Sequence, residues 1–166
     1  LVAEAIARAK RQGVSEELLS ELDGFTGAVG IWDSGRPGPV TAFRFDIDCV
    51  QVGETSDPAH EANAGGYASQ RPNLMHACGH DGHLAVGLGV AQWIKDHADQ
   101  LCGKIKLVFQ PAEEGTRGAQ PMAESGILDD VDFIVCTHIG SSVPLHQVAV
   151  CTHGYLATTK LDIYFE

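Results

Sequence analysis

A segment of eight residues, from His76 to His83, concentrates side chains that bind transition metals. It reads His-Ala-Cys-Gly-His-Asp-Gly-His and supplies three imidazoles, one thiol and one carboxylate between small residues. Cysteine, histidine and aspartate hold transition-metal ions, and glycine allows the backbone to bring several of them to one point. This density of donors in so short a segment predicts a metal site.

Other candidate groups lie elsewhere in the chain, each just after an apolar run: Asp46, Asp48, Glu113, Glu114 and His138. Taken singly, each has an ordinary explanation, such as a solvated turn, acids at the start of a helix or a hydrogen-bonded core histidine. In a parallel α/β sheet, however, ligands bind at the carboxyl ends of the strands. The sequence therefore predicts one site built from several distant segments.

The donor set indicates hydrolysis assisted by metal ions. Thiolate, imidazole and carboxylate together suit zinc, manganese, cobalt or nickel better than calcium. Two such ions about 3.5–4 Å apart could share one water molecule and lower its pKa. One carboxylate must then stay free of metal, so that it can take the proton of that water and pass it to the departing amine. Adjacent glutamates fit this division of labour.

Rival enzyme chemistries find less support in the sequence. There is no Gly-x-Ser-x-Gly turn for a serine nucleophile and no phosphate-binding Gly-x-x-x-x-Gly-Lys-Ser/Thr loop. Cys78 and His80 could form a nucleophile and base pair, but residues two apart do not readily present thiol and imidazole face to face.

Composition argues against several classes of partner. The formal net charge of −11 disfavours nucleic acid, whose binding rests on Lys and Arg, and also an anionic membrane surface. No apolar run is long enough to span a bilayer. Five cysteines without a tight pairing pattern favour a reducing, cytoplasmic setting. Cys102, Cys136 and Cys151 lie in or beside apolar segments and are expected to be buried.

Periodicity and turn residues predict the elements that position these groups. Residues 1–23 read as two helices separated at Gly13, the second capped by Ser15. The expected strands are Phe25–Trp32, Val40–Ile47, Lys104–Gln110, Phe133–Thr137 and Gln147–Thr152, with another from Thr158. The expected helices are Leu84–Ala98 and Ala119–Ser125, and residues 51–74 read as a long surface loop.

Strands that alternate with helices over residues 40–138 predict an α/β fold, with a largely parallel sheet flanked by helices. The final run, from Thr159 to Phe165, alternates apolar and polar residues strictly, as in a half-exposed antiparallel strand. Residues 1–155 are therefore expected to form the N-terminal part of a metal-binding catalytic domain. Residues 156–166 would be the first strand of a satellite domain that the chain truncates.

The motifs together closely resemble those of the aminoacylase/carboxypeptidase-type metallopeptidases. The residues that carry the resemblance are His76 to His83, Gln110 to Gly115, and Thr137 with His138. The matching branch is the amidohydrolases that include hippurate hydrolase, indole-acetyl-amino-acid hydrolases and aminobenzoyl-glutamate hydrolase. Arg44-Phe45-Asp46-Ile47-Asp48 looks most like the aminobenzoyl-glutamate hydrolase subgroup.

The resemblance implies a role for most residues of the motifs. The metal ligands would be Cys78, His80, Glu114 and His138. Glu113 would be the general base, and Asp48 the acid that supports a ligand without binding metal itself.

The remaining residues of the motifs are less defined. Asp46 lies where other branches place a ligand histidine, a function that Cys78 is expected to replace. His76, Asp81 and His83 belong to the motif but receive no direct role.

The implied activity is cleavage of the amide bond of an N-acyl amino acid, with an acyl group of aminobenzoyl type as one candidate. The implied cofactors are two divalent ions, manganese or zinc, with cobalt or nickel as alternatives. The family's catalytic domain is interrupted by a satellite domain that often mediates dimers, so a homodimer or a hetero-oligomer is expected. A distal ligand histidine and an oxyanion-stabilising histidine would lie beyond Glu166.

Two other hypotheses stay open at this point. A non-catalytic module that has kept the site would take up metal and bind substrate without hydrolysing it. A purely structural α/β domain would leave Cys78, His80, Glu114 and His138 scattered in space.

Overall fold

The computed structural model describes residues 2–22, 26–140 and 143–150. Its helices there are α1 (Val2–Arg11), α2 (Glu16–Leu22), α3 (Glu61–Gly65), α4 (His80–Asp96) and α5 (Ala119–Glu124). Its strands are β1 (Ala28–Asp33), β2 (Val40–Asp46), β3 (Lys104–Gln110) and β4 (Phe133–Cys136).

The four strands form one sheet in the order β1-β3-β2-β4. β2 runs parallel to its neighbours β3 and β4, whereas β1 pairs with β3 in the antiparallel direction. The connection from β2 to β3 contains α4, as a parallel pair requires. This arrangement confirms the predicted α/β fold with a largely parallel sheet.

The core lies between α4 and the two central strands. Phe45, Ile94, Ile105 and Leu107 are its buried members. Gly87 allows this packing, because a Cβ there would lie 2.6 Å from Phe109 Cε1 and 2.9 Å from Phe45 Cδ2. The helix can thus approach the sheet more closely than a side chain would permit.

The predicted buried stripe of the central helix was partly wrong. Ile94 is buried, but Val86 and Trp93 are exposed. The helix begins at His80, four residues before the predicted start, and its buried face includes His80 and His83. The first turn of α4 is therefore formed by the histidine-rich motif itself.

β3 also differs from its expected burial. Its bounds are as predicted, but the alternation from Ile105 to Phe109 indicated one buried face and one exposed face. Lys106, Val108 and Gln110 on the opposite face are buried as well. The reason is position, since β3 lies between β1 and β2 and is covered on both sides.

Several smaller expectations need correction. The segment 51–74 is not a featureless loop, because it contains α3, and a bridge between Val50 and Met75 closes it at its base. Cys102 and Cys136 are exposed rather than buried. No strand forms over residues 147–150, within the predicted strand Gln147–Thr152.

Other expectations hold, or fall where the structure gives no description. The Oγ of Ser15 accepts a hydrogen bond from the main-chain N–H of Leu18 at 3.2 Å, as an N-cap should. Phe25, Cys151 and the predicted satellite strand at 156–166 lie outside the described residues. None of the described helices is both long and apolar enough to cross a membrane.

Candidate metal centre

The predicted site forms where the parallel strands end. β2 ends at Asp46, β3 at Gln110 and β4 at Cys136, and the chain beyond each strand carries candidate ligands. The first turn of α4 lies against this edge, because His80 and His83 are buried beside Asp46. The topology therefore brings together residues more than 90 positions apart, as expected for the carboxyl edge of a parallel sheet.

Cys78, His80 and Glu114 form the first cluster. One ligand atom of each lies within 4.8 Å of the others. His80 Nε2 is 3.9 Å from Glu114 Oε1, and Cys78 Sγ is 3.9 Å from His138 Nε2. The four predicted ligands are neighbours in space, which excludes the hypothesis of scattered residues.

Asp48 orients the imidazole of His80. The Nδ1 atom of His80 lies 2.9 Å from the main-chain oxygen of Asp48 and 3.2 Å from its carboxylate Oδ1. Both neighbours are acceptors, so Nδ1 carries the ring proton and donates it, and Nε2 keeps its lone pair. Metal-binding histidines commonly show this arrangement, with a carboxylate or carbonyl on the nitrogen that does not bind metal.

His80 Nε2 is a buried polar atom with no hydrogen-bond partner among the described residues. An unpaired polar atom in a protein interior costs free energy, so its presence calls for a reason. A lone pair directed toward a thiol and a carboxylate is the arrangement that a divalent cation would satisfy. The donor set therefore fits a transition-metal ion.

Asp48 also connects to the glutamate pair. Its Oδ2 accepts a hydrogen bond from the main-chain N–H of Glu114 at 3.0 Å. One carboxylate thus holds both the His80 ring and the backbone of Glu114. Asp48 lies behind the cluster, in the supporting position that the sequence resemblance implied.

The loop that carries Glu113 and Glu114 has a strained backbone. Ala112 and Thr116 have positive φ angles of 53° and 54°, a region that non-glycine residues rarely adopt. The Ala112 carbonyl closes the loop by accepting hydrogen bonds from the N–H groups of Arg117 and Gly118. Such conformations persist where the surrounding structure fixes them, and they concentrate at functional sites.

Glu113 is half-buried, and no hydrogen bond within the described part of the chain uses its carboxylate. Its negative charge is close enough to contribute to the raised pKa of Cys78. Glu113 is therefore near the cluster and free to accept a proton.

The Cys78 thiol lies in an acidic environment. A hydrogen bond to the Glu114 carboxylate, then desolvation and the charges of Glu114, Glu113 and Asp46, raise the pKa of Cys78 to about 11. The thiol is consequently protonated at neutral pH unless a cation compensates the negative charge. A bound cation would reverse this balance and favour the thiolate.

Asp46 and His83 form a second, fully buried pair beside the first cluster. Their ligand atoms, together with atoms of His80 and His138, also lie within 4.8 Å of one another. His83 Nδ1 makes a short hydrogen bond to Asp46 Oδ1, and its Nε2 accepts the main-chain N–H of Ile139 at 2.8 Å. Both ring nitrogens of His83 are thus in use, so in this arrangement it offers no lone pair to a cation.

Asp46 is held by a cation as well as by His83. Arg44 Nη1 lies 2.8 Å from Asp46 Oδ2. Burial alone would raise the pKa of Asp46, but the hydrogen bond from His83 and the charge of Arg44 outweigh it and lower that pKa. Asp46 is thus an ionised carboxylate inside the protein.

The sequence analysis had left His83 without a role, although a signal for its position existed. His80 and His83 are three residues apart, the spacing that places two side chains on one helical face. Arg44, Asp46 and Asp48 alternate in the same way along β2 and its extension. By contrast, His76 and Asp81 are exposed, and Asp81 Oδ1 accepts the N–H of Gly82.

The structure therefore places all six predicted site residues at one edge of the sheet: Asp48, Cys78, His80, Glu113, Glu114 and His138. Their individual roles stay predictions.

Comparison with known proteins agrees with this geometry. Residues 42–162 match the family described as Peptidase family M20/M25/M40. The chain belongs to peptidase family M20/M25/M40. The matched residues contain every predicted site residue, from Asp48 to His138.

Curated relatives of this M20/M25/M40 chain are hydrolases by name. It is 48% identical over 166 residues to a homolog of a p-aminobenzoyl-glutamate hydrolase subunit from Haemophilus influenzae, covering all of this chain and 39% of the relative. It is 50% identical over 165 residues to indole-3-acetyl-aspartic acid hydrolase of Enterobacter agglomerans, covering 99% of this chain and 38% of the relative. The chain thus spans less than two fifths of the length of these relatives.

Solved structures give the same family relationship. A Bacillus subtilis protein described as a dinuclear metal binding peptidase from the M20 family aligns with a TM-score of 0.64 and 34% identity, over 72% of this chain and 31% of that protein. An aminobenzoyl-glutamate utilization protein from Klebsiella pneumoniae aligns with a TM-score of 0.62 and 42% identity, over 86% and 30% of the two chains. The M20/M25/M40 fold is therefore that of the described chain.

Proposed function

We propose that this chain forms the metal-binding part of an amidohydrolase, which cleaves the amide bond of an N-acyl amino acid. The observation that supports this most strongly is the buried, unpaired Nε2 of His80. It faces Glu114 and belongs to a cluster with Cys78, while Asp48 holds the opposite nitrogen of the same ring. A purely structural histidine would be expected to use both nitrogens, as His83 does.

Four residues would hold the metal: Cys78, His80, Glu114 and His138. Thiolate, imidazole and carboxylate together favour manganese or zinc, with cobalt or nickel as alternatives. Two ions would match the relative from Bacillus subtilis that is described as dinuclear. When bound, the divalent cations would supply Lewis acidity, which polarises a carbonyl group and makes a water molecule more acidic.

Glu113 would move the proton. Its carboxylate takes the proton from the attacking water and returns it to the nitrogen of the scissile amide as that bond breaks. The water oxygen ends in the new carboxylate and the nitrogen leaves as a neutral amine, so atoms and charge balance. Asp48 holds the ring of His80 and the backbone of Glu114, which keeps the base and its ligand neighbour in fixed positions.

A cavity of about 710 Å³ adjoins this machinery and is lined in part by Asp48 and Glu114. That volume falls in the range of small-molecule sites. Ile47, Val50, Pro111 and Ala112 contribute apolar surface, and Arg117 contributes a cation. An acyl group against the apolar wall and a carboxylate near Arg117 would match an N-acyl amino acid.

The relatives' names support this substrate class. One relative is named for p-aminobenzoyl-glutamate and another for indole-3-acetyl-aspartic acid, and both compounds join an acyl group to an acidic amino acid. The Escherichia coli relative is named as one subunit of its hydrolase, which supports assembly of the intact protein as a homodimer or hetero-oligomer. The four described cysteines are all free thiols, as a reducing cytoplasm would maintain them.

A matched pair of variants in the intact protein tests the proposal. Glu113→Gln should lower the turnover of p-aminobenzoyl-glutamate by about 10²–10⁴-fold while its metal content stays that of the wild type. Glu114→Gln, one residue away, should lose metal together with activity. Elemental analysis and a hydrolysis assay measure the two effects.

Two results would count against the proposal. Near-unchanged turnover of Glu113→Gln with metal bound would remove its role as the base. A wild-type protein that binds metal and substrate but hydrolyses no N-acyl amino acid would favour the non-catalytic module.

A further inference from the structure

His83 occupies a position in which it can control the ligand His138 without binding metal. It is 1% exposed, and the Ile139 N–H that it accepts belongs to the residue directly after His138. Since Nε2 accepts this bond, it carries no proton, and Nδ1 is the nitrogen that donates to Asp46. The tautomer of His83 is therefore fixed by its two partners.

The segment that His83 anchors has few other supports. β4 is an edge strand that pairs only with β2 among the described strands, and its four residues are exposed. Residues 137–140 that follow it have no regular structure. The hydrogen bond from Ile139 to His83 thus ties the end of an edge strand to the buried face of α4.

Packing reinforces this connection. The rings of His83 and His138 meet edge to face, with centroids 4.5 Å apart. A Cβ on Gly82 would lie 2.5 Å from Ile139 Cδ1, so the glycine leaves room for Ile139 against the first turn of α4. Both the main chain and the side chain of Ile139 are thus seated on this turn.

His138 completes the arrangement through its own hydrogen bond. Its Nδ1 donates to the carbonyl of Ile139 at 2.8 Å, which leaves Nε2 for the cluster with Cys78. Any movement of the Ile139 peptide would therefore shift both the backbone and the ring of His138.

We propose that His83 is a positioning residue, which accepts the Ile139 N–H and thereby aims His138 at the metal. Asp46 holds His83 in the required tautomer, and Arg44 holds Asp46. The inference rests on the proposed metal site, but it adds a residue to which the sequence resemblance gave no role.

Two substitutions at position 83 separate its two hydrogen bonds. His83→Asn keeps a donor near the Nδ1 position and removes the acceptor that reaches Ile139. His83→Gln places an amide oxygen near the Nε2 position and can still accept the Ile139 N–H. In the intact protein, His83→Asn should weaken Zn²⁺ binding by about 10–100-fold, and His83→Gln should restore most of it.

Cobalt spectroscopy distinguishes lost aim from general damage. In the Co²⁺-loaded protein, each bound imidazole with a ring N–H gives an exchangeable, paramagnetically shifted proton signal. His83→Asn should lose the one signal that His138→Ala also loses, and should keep the signal of His80 and the thiolate-to-cobalt absorption of Cys78. An unfolded variant would lose them all.

A second pair of variants tests the same hydrogen bond from its donor, in case His83→Asn does not fold. Ile139→Pro removes the main-chain N–H at an exposed position, and Ile139→Ala keeps it. The proline variant should lose the His138 signal and the alanine variant should retain it.

The outcomes separate this inference from the proposed function. If the wild-type protein binds no cation, the proposed function itself is wrong. If it binds cations and Ile139→Pro keeps the His138 signal and the wild-type affinity, the positioning role is wrong. Equal losses in His83→Gln and His83→Asn would also overturn it, since the acceptor would then not matter.

Discussion

The imidazole of His80 donates its Nδ1 proton to Asp48, 2.9 Å from the main-chain oxygen and 3.2 Å from the carboxylate. The same carboxylate accepts the N–H of Glu114 at 3.0 Å through its other oxygen. Asp48 therefore links the carboxyl end of β2 to two of the predicted ligands. Its side chain would strengthen a metal site without contacting the metal.

Replacing Asp48 with alanine should weaken metal binding without abolishing it. The main-chain oxygen of residue 48 remains as an acceptor for His80, so only the carboxylate bonds are lost. Loss of such a supporting partner typically lowers metal affinity by about 10–100-fold. Competition with a chelator for Zn²⁺ would measure the change in the intact protein, and His80→Ala should lose considerably more. Equal losses in the two variants would show that Asp48 is itself a ligand.

Metal binding should release a proton from Cys78. The pKa of this thiol is raised to about 11, chiefly by its hydrogen bond to the Glu114 carboxylate, so the metal-free protein holds the proton at pH 8. A cation that binds the thiolate must displace that proton, and the thiol's contribution should raise affinity about tenfold per pH unit below the thiol pKa.

Calorimetry in buffers of different ionisation enthalpy counts the released protons. Cys78→Ala should release about one proton fewer than the wild type at the same pH. Identical proton release by the two proteins would mean that Cys78 does not bind the cation as a thiolate.

Local sequence signals were sufficient to predict much of the fold. The bounds of β3 are as predicted because Gly103 and Pro111 flank a continuous run of strand-forming residues. The start of α4 was predicted four residues late, because the glycines of the motif lower helix propensity. Buried tertiary contacts of His80 and His83 stabilise this first turn, and periodicity does not reveal them.

The candidate site divides in the same way. Side-chain chemistry and strand ends indicated the ligand residues and Asp48. The partner of His83 is the main-chain N–H of Ile139, a group that every residue except proline carries, so no sequence pattern marks it. The role inferred for His83 follows from the three-dimensional arrangement alone.

Two glycines of α4 give a test of how closely the helix packs on the sheet. A Cβ on Gly87 would lie 2.6 Å from Phe109 Cε1, whereas a Cβ on Gly89 would have no atom within 4 Å. Gly87→Ala should lower the free energy of unfolding by about 1–3 kcal/mol through overpacking. Gly89→Ala should raise it by about 0.5–1 kcal/mol, because alanine favours the helix. Urea unfolding measures both, and equal stabilisation of the two variants would contradict the described contact.

Arg117 gives the last prediction, which concerns the substrate. Its guanidinium takes part in no hydrogen bond or ion pair within the described residues, and it lines the cavity beside Asp48 and Glu114. If Arg117 meets the carboxylate of an N-acyl amino acid, Arg117→Ala removes a charge-assisted hydrogen bond, typically about 1.5–3 kcal/mol. KM should then rise about 10–100-fold with little change in kcat.

A substrate analogue provides the control for Arg117. The corresponding N-acyl amino acid amide lacks the carboxylate, so its KM should be nearly the same for the wild type and Arg117→Ala. Arg117→Lys should fall between them on the acid substrate, because lysine keeps the charge and loses the two-pronged geometry. A KM that rises equally for the acid and the amide would assign Arg117 to the solvent-facing surface of the loop and leave the carboxylate to another cation.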